Sequence, residues 1–141
     1  SYPKRGSVPA PFRNALAKEE FNGMIAYASL KNGCIEACGM QRFHKMSAHL
    51  ESLDPFSPER EALATTLFGE SVPLQFDSEG RVMLPEHLLH SANIAEEAMF
   101  VGKGEVFEIW NPHAYGEHAD AARALVRKQF LPLSKAGEKH A

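Results

Sequence analysis

At 141 residues and 44% apolar side chains, the chain is one domain or two small ones, able to bury roughly two-thirds of its unfolded surface. A formal charge of -3 and a pI near 6.1 exclude a global pull toward nucleic acid, so such a partner would need a local basic strip or several copies of the chain. No apolar run approaches the ~20 residues that span a bilayer and no charged-then-apolar leader is seen, so the expectation is a cytoplasmic protein that does not enter a membrane.

The first 18 residues are basic, with Lys4, Arg5, Arg13 and Lys18 ahead of Glu19 and Glu20. Pro9-Ala10-Pro11 opens a short helix through Ala17, with Phe12 and Leu16 on its buried face. Met24 to Leu30 is β-prone, and Lys31-Asn32-Gly33 predicts an Asn-Gly hairpin turn with Cys34 to Cys38 returning antiparallel. Four strand residues span roughly 13 Å, beyond the ~7 Å limit for bridging two Cα atoms, so the two cysteines read as small core residues. Gln41 to Leu53 carries Phe43, Met46, Leu50 and Leu53 on one helical stripe. Ser57-Pro58-Glu59 combines a cap, a first-turn proline and an acid on the helix dipole; Leu63 and Leu67 give that helix a face, and Gly69 ends it.

Val72 to Pro85 is the most specific stretch. Val72, Leu74 and Phe76 alternate on a strand, Asp77-Ser78-Glu79-Gly80 makes a tight turn, and Val82 and Leu84 lie on a return strand of the same hairpin. Asp77 can accept hydrogen bonds from the amides of its own turn, and Gly80 supplies a positive φ. Arg81 then stands across the hairpin mouth from Asp77, placed for a bidentate pair. Pro85 suits the first position of a helix over Glu86 to Ser91. Further on, Ala98 to Val101 and Val106 to Trp110 are strands joined by a Gly102-Lys103-Gly104 hairpin turn, with Phe107 and Ile109 inward and Glu108 outward. A lone Gly-x-Gly between two strands is not a phosphate loop, which needs a helix behind it. Asn111-Pro112 starts a last helix with Tyr115, Ala119, Ala122 and Val126 on one stripe and Leu125 and Phe130 beside it, fading before Pro132.

Arg5-Gly6-Ser7-Val8-Pro9 stands 76 residues ahead of Arg81-Val82-Met83-Leu84-Pro85, with Arg over Arg, Val over Leu and Pro over Pro. Two strands and a helix follow in each copy. The expected organisation is a first repeat over 1–53, whose leading strand, the counterpart of Val72 to Phe76, is missing; a connecting helix over 54–70; a second repeat over 71–131; and a polar tail over 132–141.

Among the seven histidines, His87 and His90, or His113 and His118 beside Glu117, match no metal-ligand spacing. Ser7, Ser47 and Ser78 lie in no nucleophile elbow, and no long nucleotide fingerprint is present. The chain reads as a non-enzyme with neither metal nor cofactor.

The run Phe76 to Pro85, Val101-Gly102, Phe107 to Trp110, and Val8-Pro9-Ala10-Pro11-Phe12-Arg13 together resemble the MraZ family, bacterial transcriptional regulators built from two SpoVT/AbrB-type repeats. Each family repeat carries an Asp-x-x-x-Arg signature, met here by Asp77 and Arg81. In the first copy Arg5 matches the arginine, Ser1 stands where the aspartate should be, and Lys4-Arg5-Gly6 replaces Lys-Gly-Arg. The resemblance implies an α+β fold of two AbrB-like swapped-hairpin β-barrel repeats with pseudo-twofold symmetry, decorated by helices. It also implies nucleoid-associated rings of many subunits on double-stranded DNA, at repeated short G-rich boxes in the protein's own promoter upstream of the division and cell-wall gene cluster. DNA contacts are then expected from Arg5 and Arg81, supported by Lys4 and Arg13, with Asp77, Gly80, Pro9 and Pro85 shaping the turns. Arginine suits G-rich boxes because it meets guanine O6 and N7 bidentately. The alternative is an AbrB-like oligomeric protein-interaction module whose helices bind a partner.

Overall fold

The computed structural model describes the backbone of residues 4–139 and the side chains of residues 7–130. Its first compact unit, ending at Asn111, contains β1 (Lys4–Ser7), α1 (Ala10–Leu16), β2 (Gly23–Ala28), β3 (Ile35–Cys38), α2 (Met40–Glu51), α3 (Pro58–Leu63), β4 (Val72–Gln75), β5 (Arg81–Leu84), α4 (Glu86–Ser91), β6 (Met99–Lys103) and β7 (Val106–Trp110). A second unit is the single helix α5 (Pro112–Lys139). The class is mixed α+β, and every strand pairing is antiparallel.

Two sheets form. One has five strands in the order β4-β2-β3-β7-β6, and the other is a two-stranded ribbon of β1 and β5. The expected hairpin over Val72 to Leu84 is therefore not made. β4 pairs with β2, while β5 crosses over to β1. The reason lies at the turn's base: the Phe76 amide donates to the Asn22 carbonyl at 2.9 Å, which keeps the end of β4 on its sheet neighbour. Beyond the turn, Val82 and Leu84 are 1% and 3% exposed and share a core with Val8.

Both inter-half pairings are centred. In the ribbon, Arg5 faces Met83, Gly6 faces Val82 and Ser7 faces Arg81, a register that maps onto itself under the 76-residue offset. At the middle of the large sheet Ile35 faces Ile109, Glu36 faces Glu108 and Ala37 faces Phe107. Helices also lie across the halves. Phe12 of α1 stacks on Phe107 with ring centroids 4.9 Å apart, and α4 packs against β2 and β3.

The main core takes Met24, Ala26, Ile35, Ala37 and Ile109 from one face of the large sheet, together with Leu84 and Leu88. A smaller core on the other face joins Tyr27, Cys38, Leu50 and Leu67 under α2. Both cysteines are buried. With β3 and β7 covered on both faces, Glu108 is not outward as expected but 2% exposed. Its carboxylate accepts from Trp110 Nε1 at 2.8 Å and Asn32 Nδ2 at 3.4 Å, and lies 3.4 Å from Lys103 Nζ. Burial opposes its ionisation most strongly, yet these three donors together hold its pKa below the usual carboxylate range.

Other local expectations shift by a few residues. The loop after β2 is not a tight Asn-Gly turn: Ser29 Oγ accepts from the Lys31 and Asn32 amides, and the Ser29 amide closes the loop on the Cys34 carbonyl. The second hairpin turns at Gly104, φ 82°, because Gly102 and Lys103 stay in β6. Ser57 Oγ caps α3 through the Arg60 amide as expected, but the helix widens to a π-helical turn over Ala64–Phe68 before Gly69. α5 does not stop before Pro132 and runs to Lys139. An interior proline costs a helix one backbone hydrogen bond and a clash with the preceding turn, about 3 kcal/mol, which the good helix formers Ala, Lys, Leu and Glu around it offset in part.

Candidate nucleic-acid interface

The Asp77–Arg81 turn is built from its own side chains. Asp77 Oδ1 accepts from the amides of Glu79 and Arg81, each at 2.9 Å, as its position in an Asx turn requires. The Asp77 amide donates to the Arg81 carbonyl at 2.9 Å, and the Gly80 amide to the Asp77 carbonyl at 3.0 Å. Gly80 takes φ 74°, the conformation that a Cβ resists.

Arg81 opens β5, with its side chain 36% exposed. Nε lies 3.1 Å from Asp77 Oδ2, so the predicted clasp is made, but it is not bidentate. The guanidinium fork is shared instead, with Nη2 2.7 Å from Glu79 Oε2. Two acids thus orient one arginine. Asp77 was legible from the turn spacing; Glu79 was not singled out, although its place one residue before the turn glycine was the available signal.

Arg13 was expected as a supporting cation, and the structure places it against the same turn. Its Nε donates to the Val8 carbonyl at 2.9 Å, and the Val8 amide donates to the Gly80 carbonyl at 3.1 Å. A Cβ built on Gly80 would sit 2.6 Å from Arg13 Nε, so the guanidinium rests directly on the glycine backbone. Gly80 is needed twice, for its φ and for this approach. Pro9 and Pro85 stand one position earlier than expected, as N-caps of α1 and α4; the Pro85 carbonyl accepts from the Leu88 and Leu89 amides. The side chains of Lys4 and Arg5 lie outside the described residues, as does Ser1. Among the described residues no group of three or more His, Cys, Asp or Glu is arranged to hold a metal ion.

The amide hydrogen bond from Arg81, then that from Glu79 and the Arg81 guanidinium, hold the Asp77 carboxyl below its ordinary 3.8 against a smaller opposing desolvation. A depressed folded pKa means that the clasp is complete above 3.8 and is lost as pH falls through the lower folded value. The Glu79 and Arg81 amide resonances should therefore titrate with a midpoint below 3.8, and Asp77→Asn should abolish the transition. A midpoint at or above 3.8 would mean that the clasp does not form in solution.

These features define a small α+β protein with an antiparallel sheet, a two-stranded ribbon and one internally braced arginine turn. A family model described as "MraZ protein, putative antitoxin-like" matches residues 67–129. Similar proteins named "Transcriptional regulator MraZ" include that of Rickettsia akari (strain Hartford), 49% identical over 132 residues, covering 94% of this chain and 89% of that protein. That of Rickettsia canadensis (strain McKiel) is 49% identical over 132 residues with the same coverage. That of Rickettsia bellii (strain OSU 85-389) is 50% identical over 129 residues, covering 92% of this chain and 86% of that protein. The chain belongs to the MraZ family. No helix among the described residues is long and apolar enough to cross a membrane.

Proposed function

We propose that this chain is a transcriptional regulator that binds double-stranded DNA sequence-specifically, reading repeated short G-rich boxes in its own promoter ahead of the division and cell-wall genes. The braced Arg81 carries this reading. With Nε directed to Asp77 and one Nη2 contact to Glu79, the end-on donors of the guanidinium remain for guanine O6 and N7, and little side-chain entropy is lost on meeting them. Arg5 and Lys4 play the corresponding part in the first repeat. In the ribbon register Arg5 lies two rungs from Arg81 and pairs with exposed Met83 rather than with buried Val82 or Leu84.

The repeats, over 1–53 and 71–131 with 54–70 between them, are AbrB-like swapped hairpins related by a pseudo-twofold. The self-mapping ribbon register, the β3–β7 ladder that joins the halves and the crossing of α1 and α4 support this. Because Asp77 and Glu79 balance the charge of Arg81 and Arg13, one turn holds DNA weakly. A homo-oligomeric ring in the cytoplasm, on the nucleoid, supplies the needed avidity. A labelled fragment of the protein's own upstream DNA tests the reading: retention that falls steeply with salt and exceeds that of random duplex is expected, and equal retention of both overturns it.

Arg13 serves this function through the turn, as its brace. Arg13→Lys keeps the charge and loses the Nε bond to Val8, so both Arg13→Lys and Arg13→Ala should weaken cognate binding without changing its salt dependence. A phosphate contact would behave oppositely, with Lys near wild type and Ala lowering the salt slope by about 1.

The "antitoxin-like" family description favours a second reading, an oligomeric protein-interaction module. Exposed Leu125, Val126 and Phe130 on α5 would then dock a partner, and that binding would resist salt.

A further inference from the structure

A cavity of about 430 Å³ lies between β2, α2 and the π-helical turn, apart from the braced arginine. That volume is within the range of small-molecule sites, about 300–1,000 Å³. Its floor is apolar: Leu50 and Leu67 are 3% and 5% exposed, and the buried Tyr27 ring closes it.

The mouth is cationic. Its cations are Arg42 and Lys45, three apart on α2, and Lys31 from the loop after β2; His49, four residues beyond Lys45, lies on the same helical face. Glu36 is the acid of the lining, and it already accepts the Tyr27 hydroxyl. Arg42 itself is half-satisfied. Nη1 donates to exposed Glu105 at 2.9 Å, whereas Nε is buried and without a hydrogen-bond partner among the described residues. A buried guanidinium N–H in that condition is costly and uncommon; because the atom is closed to solvent, an acceptor in the cavity satisfies it once the Arg42 side chain turns that edge toward the lining.

We propose that this cavity binds a small amphipathic carboxylate, its head on the Nε edge of Arg42 and its chain over Leu50 and Leu67. A carboxylate makes a charge-assisted bond there that a neutral head cannot match. The surrounding cations repel an ammonium head, which adds selectivity by exclusion. The site does not depend on how Arg81 meets DNA.

Calorimetric titration of the full chain with sodium octanoate, octan-1-ol and octylammonium chloride decides the matter. Saturable octanoate binding at one per chain is expected, with the alcohol and the ammonium at least tenfold weaker. Arg42→Lys, which keeps a charge but has no Nε edge, should lose tenfold or more, while exposed Lys18→Gln should change nothing. Should Arg42→Lys fail to fold, Leu63→Phe narrows the cavity without altering its charge and should weaken octanoate similarly. No saturable heat, equal affinity for octan-1-ol, or unchanged affinity in whichever cavity variant folds would overturn the proposal.

Discussion

Arg81→Ala should weaken binding to cognate boxes by roughly 5- to 150-fold, the equivalent of about 1–3 kcal/mol for a bidentate base contact, and binding to random duplex far less. The turn makes this a clean measurement. Asp77 Oδ1 is held by the amides of Glu79 and Arg81, neither of which needs the arginine side chain, so the loop keeps its shape after truncation. Arg81→Lys preserves the charge but not the planar fork, and on cognate DNA it should resemble alanine more than wild type. Fluorescence anisotropy on matched cognate and scrambled duplexes reads the difference. Equal losses on both would make Arg81 a backbone contact, and no loss would leave it as a turn clasp alone.

Gly80→Ala should cost about 2–4 kcal/mol of stability, whereas Gly104→Ala should cost only about 1–2. The two glycines have similar backbones, φ 74° and φ 82°, so left-handed strain is common to both. Their surroundings differ. A Cβ at Gly104 meets nothing within 4 Å, while one at Gly80 falls 2.6 Å from Arg13 Nε and 2.7 Å from its Cδ and Cζ. Arg13 can swing away only by giving up its bond to the Val8 carbonyl, which adds the loss of a charged hydrogen bond. Urea melts of both variants give the difference, and in an Arg13→Ala background it should vanish. Equal costs in the wild-type background would remove Arg13 from the turn's support.

The features legible in the sequence are those decided within a few residues. The Asp77-to-Gly80 turn, the alternation of Val82 and Leu84, the Ser57 cap and the helix after Pro85 follow from local chemistry and stand where expected, give or take one position. Arg81's clasp with Asp77 follows from the same spacing. Partner choice was not legible, since a strand's alternation states which face is buried but not which strand lies beside it. Hence β4 and β5 read as a hairpin, although they pair with β2 and β1. Glu108 read as exposed because an antiparallel strand usually has one wet face, and only the coverage of both faces of β7 overturns that. Arg13 read as a supporting DNA-contact cation and not as a brace, because nothing local ties α1 to a turn that comes much later in the chain.

The β3–β7 ladder sets residue 35 beside residue 109, and the ribbon sets residue 4 beside residue 84. Neither half can complete its hydrogen bonding from its own strands, so the body up to Asn111 has no early, separable folding unit. During synthesis β3 waits with an unpaired apolar edge until β7 leaves the ribosome, and the loop to be closed spans about two-thirds of that unit. Folding rates fall as such separations grow, because chain entropy is lost before any contact compensates for it. The half-made chain is therefore the species most exposed to aggregation, and once both ladders close, the body should open as one.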